Sequence, residues 1–315
     1  MNNTQTVSAD SMPSIDQREM RKIRRKRARL PYLILAPAFV VTIGILYPFI
    51  LAIYYSFTDF AFNKAKVDFV GIANYASMFS NPDFWHSLLI TLEYAFVCTA
   101  VETVLGIGIA FLLNQENRLV KVMRVLLIFP LMIAPIIATI VWQLMTNPSV
   151  GVLSHYLNVL GVHNFKWGAS PHWALFSVVL IDVWIYTPFI ILLVLAGLKS
   201  LPIAPYEAAL IDGGGTLFTF RNLTLPMLAP VIIIAAIFRL MVSLQEFAII
   251  YGLTGGGPGN ATMTLSLLAY EQGFLYMNMG QAITYMVLLW LVVFVLSQLL
   301  VSFWLKAQKR ASGEI

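Results

Sequence analysis

The amino-acid sequence predicts an all-α membrane protein: six transmembrane helices, both termini cytoplasmic, and a short cytoplasmic helix–turn–helix between helices 4 and 5. Three observations predict it. Of 315 residues 59% are hydrophobic and only 11% charged, and the mean hydropathy of +0.79 lies far outside the soluble range. Apolar runs of about 20 residues or more recur, enough at about 1.5 Å per residue to cross about 30 Å of hydrocarbon. The basic residues are sorted to one side of those runs.

Taken in order, residues 1–30 read as a basic cytoplasmic tail, with 1–17 disordered and eight Lys or Arg between Arg18 and Arg29. That cluster suits a membrane flank touching anionic lipid rather than nucleic acid. The run Pro31–Phe57 that follows is too long for a secretory signal and lacks a small-residue cleavage site, so it reads as a retained first span. Further spans fit about 86–113, 122–146, 173–196, 227–252 and 281–305, and 306–315 form a second tail. Of the 20 Lys and Arg, only Lys64, Lys66 and Lys166 fall on the opposite loops, and Arg239 lies inside a span. The positive-inside rule therefore makes both termini and the 197–230 loop cytoplasmic. Aromatics such as Trp85, Trp167, Trp173 and Tyr276 edge the external loops 58–85, 147–172 and 253–280, as interfacial anchors do. Pro37, Pro48, Pro130, Pro135 and Pro188 imply bent helices.

The loop at 197–230 carries the most informative stretch. Pro205 suits the first turn of a helix that Gly213-Gly214-Gly215 ends, and Thr216 can cap a second short helix running to Leu225-Pro226. Glu207-Ala208-Ala209, Gly213 four positions on, Leu223 ten positions beyond it and then Leu225-Pro226 resemble the EAA loop of permease subunits in binding-protein-dependent ABC importers. Only Leu223, where isoleucine is common, departs from that pattern. The resemblance implies that Glu207, Ala208, Ala209, Asp212, Gly213, Leu225 and Pro226 couple the membrane helices to a cytoplasmic ATPase.

Chemistry within the chain itself is scarce. There is no G-x-x-x-x-G-K-[ST], so no P-loop binds ATP here; nor is there an HExxH or a nucleophile elbow. Cys98 is the only cysteine and the four histidines form no close pair, which argues against a metal site. No cofactor is expected on this chain, and ATP and Mg fall to partner subunits.

Ionisable groups inside spans cost at least a few kcal/mol unless they face protein or water. Glu93, Glu102, Asp182, Arg239 and Glu246 qualify, with Gln143 and Gln245 as neutral companions. Arg239, Ser243 and Glu246 recur at i, i+4 and i+7, the spacing of one helical face, as do Asp182, Tyr186 and Phe189. Glu93 and Glu102 are nine apart, on opposite faces of span two, so at most one faces a pathway. Acid, amide, hydroxyl and guanidinium groups beside aromatic rings suit a sugar-like ligand. The alternative is an ion pair of Arg239 with Asp182 or Glu246 that fixes helix packing, and the residues favour that pair slightly.

Two further resemblances point to the sugar-importing, maltose-type branch. Phe69-Val70-Gly71 with Asn74-Tyr75 is similar to its first external loop, and Gly255-Gly256-Gly257-Pro258 to the loop that meets the binding protein. By resemblance the solute-contacting positions are Asp182, Trp184, Ile185, Tyr186 and Phe189 before the EAA loop and Gln245, Glu246 and Phe247 after it; the helical spacing adds Arg239 and Ser243, and Gln143 is a neutral companion. Asp182 and Glu246 stand where that pattern has neutral amides, and Arg239 where a small polar residue is usual, which admits an anionic sugar or glycerol derivative.

The expectation is a permease subunit in a bacterial or archaeal cytoplasmic membrane. It would be partnered by a second homologous permease, two ATP-binding subunits and an extracytoplasmic solute-binding protein. An importer of a glycerol-phosphate-like solute is the near alternative. An ion-coupled secondary transporter using Asp182 and Glu246 as proton carriers is the distant one.

Overall fold

The computed structural model describes residues 17–163 and 165–311. Residues 1–16, part of the stretch expected to be disordered, lie outside the described residues. The chain forms two units that divide between Tyr54 and Tyr55.

The first unit is carried by α1, Gln17–Ser56. Its apolar part, Leu35–Ser56, is long enough to cross a membrane. Phe39, Val40, Val41, Ile43 and Ile45 are exposed along it, the arrangement expected of a span whose surroundings are lipid.

The second unit opens with an antiparallel bridge between Thr58 and Phe69. Asn74 on α2, Ala73–Ser80, donates from Nδ2 to the carbonyls of Ser56 and Thr58. Then α3, Pro82–Leu112, begins with Asn81 accepting from the Asp83 amide and Pro82 in the first turn, where a missing N–H costs nothing.

The third span departs from expectation. Instead of one helix over 122–146 there are α4, Arg118–Ile128, and α5, Pro135–Met145, with a 101° bend between Met132 and Pro135. The cause is local. Pro130 and Pro135 cannot donate a helical hydrogen bond; Ala134 is extended, as the residue before proline prefers, and so is Ile133 before it. The short helix α6, Val152–Val159, follows.

The fourth span, α7, Pro171–Ser200, runs through Pro188 unbroken. It packs close to α3: a Cβ on Gly106 would sit 2.5 Å from Ile190 Cγ2. Beyond it α8, Ala204–Ile211, ends in a turn where Gly213 has φ +77° and the Gly214 amide donates to the Ala209 carbonyl.

The second arm of this turn is not a separate short helix. Gly215, not Thr216, occupies the cap position, and α9, Thr216–Thr219, passes through a π-helical stretch, Phe220–Thr224, into α10, Leu225–Ser243. Thr216–Ser243 is thus one 28-residue helix. Pro226 lies in the first turn of α10, and Pro230 inside it is tolerated.

The fifth span also ends early. α10 stops at Ser243, the chain turns through Leu244–Phe247, and α11 restarts at Ala248–Leu253. The short α12, Leu265–Tyr270, and the last span α13, Met279–Ala311, complete the order. Among the described residues five helices are long and apolar enough to cross a membrane, six if the bent pair counts as one span.

Two buried apolar clusters hold α3, α7 and α10 together. One contains Tyr94, Cys98, Ile181, Ile185, Leu240 and Leu244; the other contains Ala110, Ile190, Val194 and Leu228. Removing such area from water contributes roughly 25 cal/mol per Å² only where the reference is water. In lipid the close fit itself matters more, which is why glycines sit at the crossings. Gly197 is one, with a Cβ position 2.8 Å from Leu228 Cδ1.

Candidate functional site

The site is built where α3, α7 and α10 meet. Arg239 donates from Nε and Nη2 to the two carboxylate oxygens of Glu102, the Nη2–Oε1 contact being 2.8 Å, and from Nη2 to Asp182 Oδ2. Glu102 and Asp182 are wholly buried and Arg239 is 2% exposed. The face of Tyr186 covers the guanidinium, with Cζ 4.2 Å from the ring centroid, a cation–π contact. Among the described residues Arg239 Nη1, Asp182 Oδ1 and Ser243 Oγ keep unused hydrogen-bonding capacity.

An isolated guanidinium at this depth is very costly, and a carboxylate fork offsets that cost because two parallel N–H···O bonds match its geometry. Glu102 was expected to compete with Glu93 for one inward face. The structure places Glu102 inside and leaves Glu93 exposed. Of the two internal partners considered for Arg239, Asp182 is bonded to it. Glu246 is not, and Glu102 supplies the second acid.

Glu246 departs from the helical face shared with Arg239 and Ser243, because α10 ends at Ser243. Its Oε1 accepts from the Ile249 amide at 2.9 Å, satisfying a free N–H at the start of α11. Its carbonyl accepts from Ser266 Oγ at 2.8 Å. The sequence around Ser243–Phe247 holds neither proline nor glycine, so no breaker signal marks this interruption.

The other expected positions are spread around this core. Trp184 lies about 200° around the helix from Asp182 at 100° per residue. It meets Trp142 edge-on and lines a cavity of about 460 Å³ with Leu105, Met123 and Pro130, so it faces away from Arg239. Ile185 is buried in the core, and Phe189 packs on the second apolar cluster. Gln143 is exposed and its Nε2 donates to the Gly252 carbonyl at 2.7 Å, tying α5 to α11. Gln245 is exposed beside Phe247, whose ring stacks on Tyr251 at 5.1 Å and meets Tyr270 at 5.3 Å. Gln245 and Phe247 line a second cavity of about 430 Å³ with Tyr270 and Phe274.

Two further regions carry sequence-marked residues. The turn after α8 exposes Leu210, Ile211 and Leu217 above a cavity lined by Ala208, Ala209, Asp212, Gly213 and Leu223. The loop after α11 is wound by Gly255 and Gly256, both at positive φ. A Cβ on Gly256 would meet Met263 Cε at 2.7 Å. Thr254 and Thr262 close that loop with a 2.7 Å hydroxyl contact.

Comparisons with known proteins agree with this architecture. Residues 102–310 match the family described as binding-protein-dependent transport system inner membrane component. The chain is 41% identical to the trehalose/maltose transport system permease protein MalF of Thermococcus litoralis, over 82% of this chain and 87% of that one. It is 34% identical to the sulfoquinovosyl glycerol transport system permease protein SmoG of Agrobacterium fabrum, over 80% and 82%. It is 31% identical to the sn-glycerol-3-phosphate transport system permease protein UgpA of Pectobacterium atrosepticum, over 84% and 90%. In fold it is similar to a chain of a bacterial ABC transporter that imports the acidic polysaccharide alginate, with TM-score 0.78 at 20% identity over 92% of this chain and 99% of that one. With its membrane-length helices and this match, the chain belongs to the family of binding-protein-dependent transport system inner membrane components, and is a multi-pass membrane permease of a binding-protein-dependent importer.

Proposed function

We propose that this permease moves a sugar or sugar-like solute inward, driven by ATP that two partner subunits hydrolyse. A second homologous permease completes the membrane path, and an extracytoplasmic binding protein delivers the solute. Both termini and the 197–230 loop are cytoplasmic in this reading, which the distribution of Lys and Arg supports. The observation that carries the sugar class is the 41% identity to a trehalose/maltose permease over most of the chain.

The coupling role is supported by the turn after α8. It exposes large apolar side chains, Leu210, Ile211 and Leu217, at the junction of two spans, as a surface that docks another protein does. ATP binding closes the ATPase pair, draws these turns together and opens the spans outward to accept solute. An ion-coupled carrier has no use for such a turn. Uptake into vesicles carrying the assembled importer should persist when proton and sodium gradients are collapsed, provided ATP is on the cytoplasmic face. Uptake that follows the gradients and ignores ATP would overturn the reading.

A further inference from the structure

Spans three and five are both interrupted. Span three divides into α4 and α5 at its 101° bend, and span five divides into α10 and α11 across Leu244–Phe247. The parts beyond the two breaks, α5 and α11, lie against each other. Gly252 is at their crossing: a Cβ there would stand 2.3 Å from Thr139 Oγ1 and 2.7 Å from Ile136 Cδ1, the close approach that small residues give to membrane helices.

With six residues, α11 is too short to be stable by itself, and side chains from outside it fix both of its ends. At its start Glu246 Oε1 accepts from the Ile249 amide. At its end Gln143 Nε2 donates to the Gly252 carbonyl at 2.7 Å and, at 3.4 Å, to the Leu253 carbonyl. Those are carbonyls of the last turn, which a helix leaves without an intrahelical partner. Gln143 was expected on sequence to accompany solute-contacting groups; here its amide nitrogen caps a neighbouring helix instead.

We infer that Gln143 is a positioning residue that makes α5 and α11 one mechanical unit: the parts of spans three and five beyond their breaks shift together during transport, while the extended residues Ile133 and Ala134 and the turn Leu244–Phe247 take up the difference from α4 and α10. Such element-terminal residues are where a hinge absorbs backbone rotation. The inference rests on the importer reading above and adds to it which two helical segments stay paired.

The test uses the complete importer in proteoliposomes with its binding protein and trehalose as the probe. Thr139→Cys with Gly252→Cys places two Cβ atoms near 3.2 Å, close to the about 3.5–4.5 Å that a disulfide spans. The native Cys98 is buried on α3 and does not compete. Oxidised, this variant should keep ATP-driven uptake within about twofold of its own reduced form, because a link inside one unit restrains nothing that moves. Uptake lost on oxidation and regained on reduction would overturn the inference. Gln143→Ala should lower the maximal rate at least about fivefold with KM nearly unchanged, and adding the oxidised cysteine pair should restore that rate. A raised KM at an unchanged maximal rate, or no restoration by the cross-link, would assign Gln143 to the solute and refute its positioning role. Should the cysteine pair fail to assemble or oxidise, spin labels on Leu144→Cys and Tyr251→Cys, both at exposed positions, decide. Their separation should agree within about 2 Å between the nucleotide-free and ATP-trapped states, and a change of about 5 Å, one helical turn, would overturn the pairing. Absence of ATP-driven uptake by the unmodified importer for every sugar tested would instead sink the reading beneath it.

Discussion

Arg239 bridges to Glu102 across 137 positions of sequence, fork to fork, in the membrane interior. A pair of this kind contributes little net stability compared with an apolar replacement, but breaking one side is expensive. Arg239→Gln should therefore cost about 3–5 kcal/mol by stranding Glu102 and Asp182. Combining it with Glu102→Gln and Asp182→Asn should recover a large part of that loss. Thermal unfolding in detergent, followed by size-exclusion fluorescence, reads both; additive losses in the triple variant would show that the three residues are not one unit.

The crossing of α3 and α7 should be intolerant of bulk. Gly106→Ala forces a methyl against Ile190, whose Cγ2 and Cβ lie 2.5 and 2.7 Å from the added atom. Overpacking of this type costs about 1–3 kcal/mol, and Gly106→Val should cost more. An unchanged unfolding temperature for both would mean that the helices separate freely there.

Coupling is testable at the turn after α8. Gly213 at φ +77° occupies a conformation that a side chain disfavours by about 1 kcal/mol or more. Glu207→Ala and Gly213→Pro should insert normally yet lose ATP hydrolysis stimulated by the loaded binding protein. Hydrolysis at parental rates in both reconstituted variants would remove the coupling role.

A modest pH dependence follows from Glu116, in the connection between α3 and α4. The Lys199 ammonium, which donates to it at 2.8 Å, and the charges of Lys199 and Arg124 hold its carboxyl below the usual carboxylate range. A lowered folded-state pKa stabilises the protein above the unfolded value and is lost as pH falls through the folded one. The pair is solvent-exposed, so the effect is small and sensitive to salt. Glu116→Gln should lower stability slightly at neutral pH and rejoin the parental curve as pH falls below about 4, flattening the acid side. A parallel curve displaced at every pH would contradict it.

The spans were legible because lipid imposes length and apolarity on each one separately, and the turn after α8 because its glycines and prolines act locally. The partner of Arg239 was legible only in half. Asp182 stood out by its spacing from Tyr186 and Phe189, whereas nothing in the neighbourhood of Glu102 tells which way span two is rotated. That rotation is set by Gly106 against Ile190, a contact between distant segments. The end of α10 at Ser243 was hidden for a similar reason. It is stabilised by Glu246 capping the Ile249 amide and by Ser266 reaching the Glu246 carbonyl, and periodicity alone extends the helix through that point. The bend between α4 and α5 was half visible, since its prolines announce a kink without its angle.

The continuity of Thr216–Ser243 has a mechanical consequence. Arg239 is 23 residues beyond Thr216 on one helix, about 35 Å along its axis at 1.5 Å per residue. A tilt of about 5° pivoting at Thr216 carries the guanidinium about 3 Å, a whole hydrogen-bond length. A rotation at Thr216 that the helix transmits whole, through its π-helical stretch Phe220–Thr224 and Pro230, would arrive at a contact that breaks within that distance. A tilt of that size would break the contacts of Arg239 to Glu102 and Asp182, so the two acids resist movement at the far end of the helix.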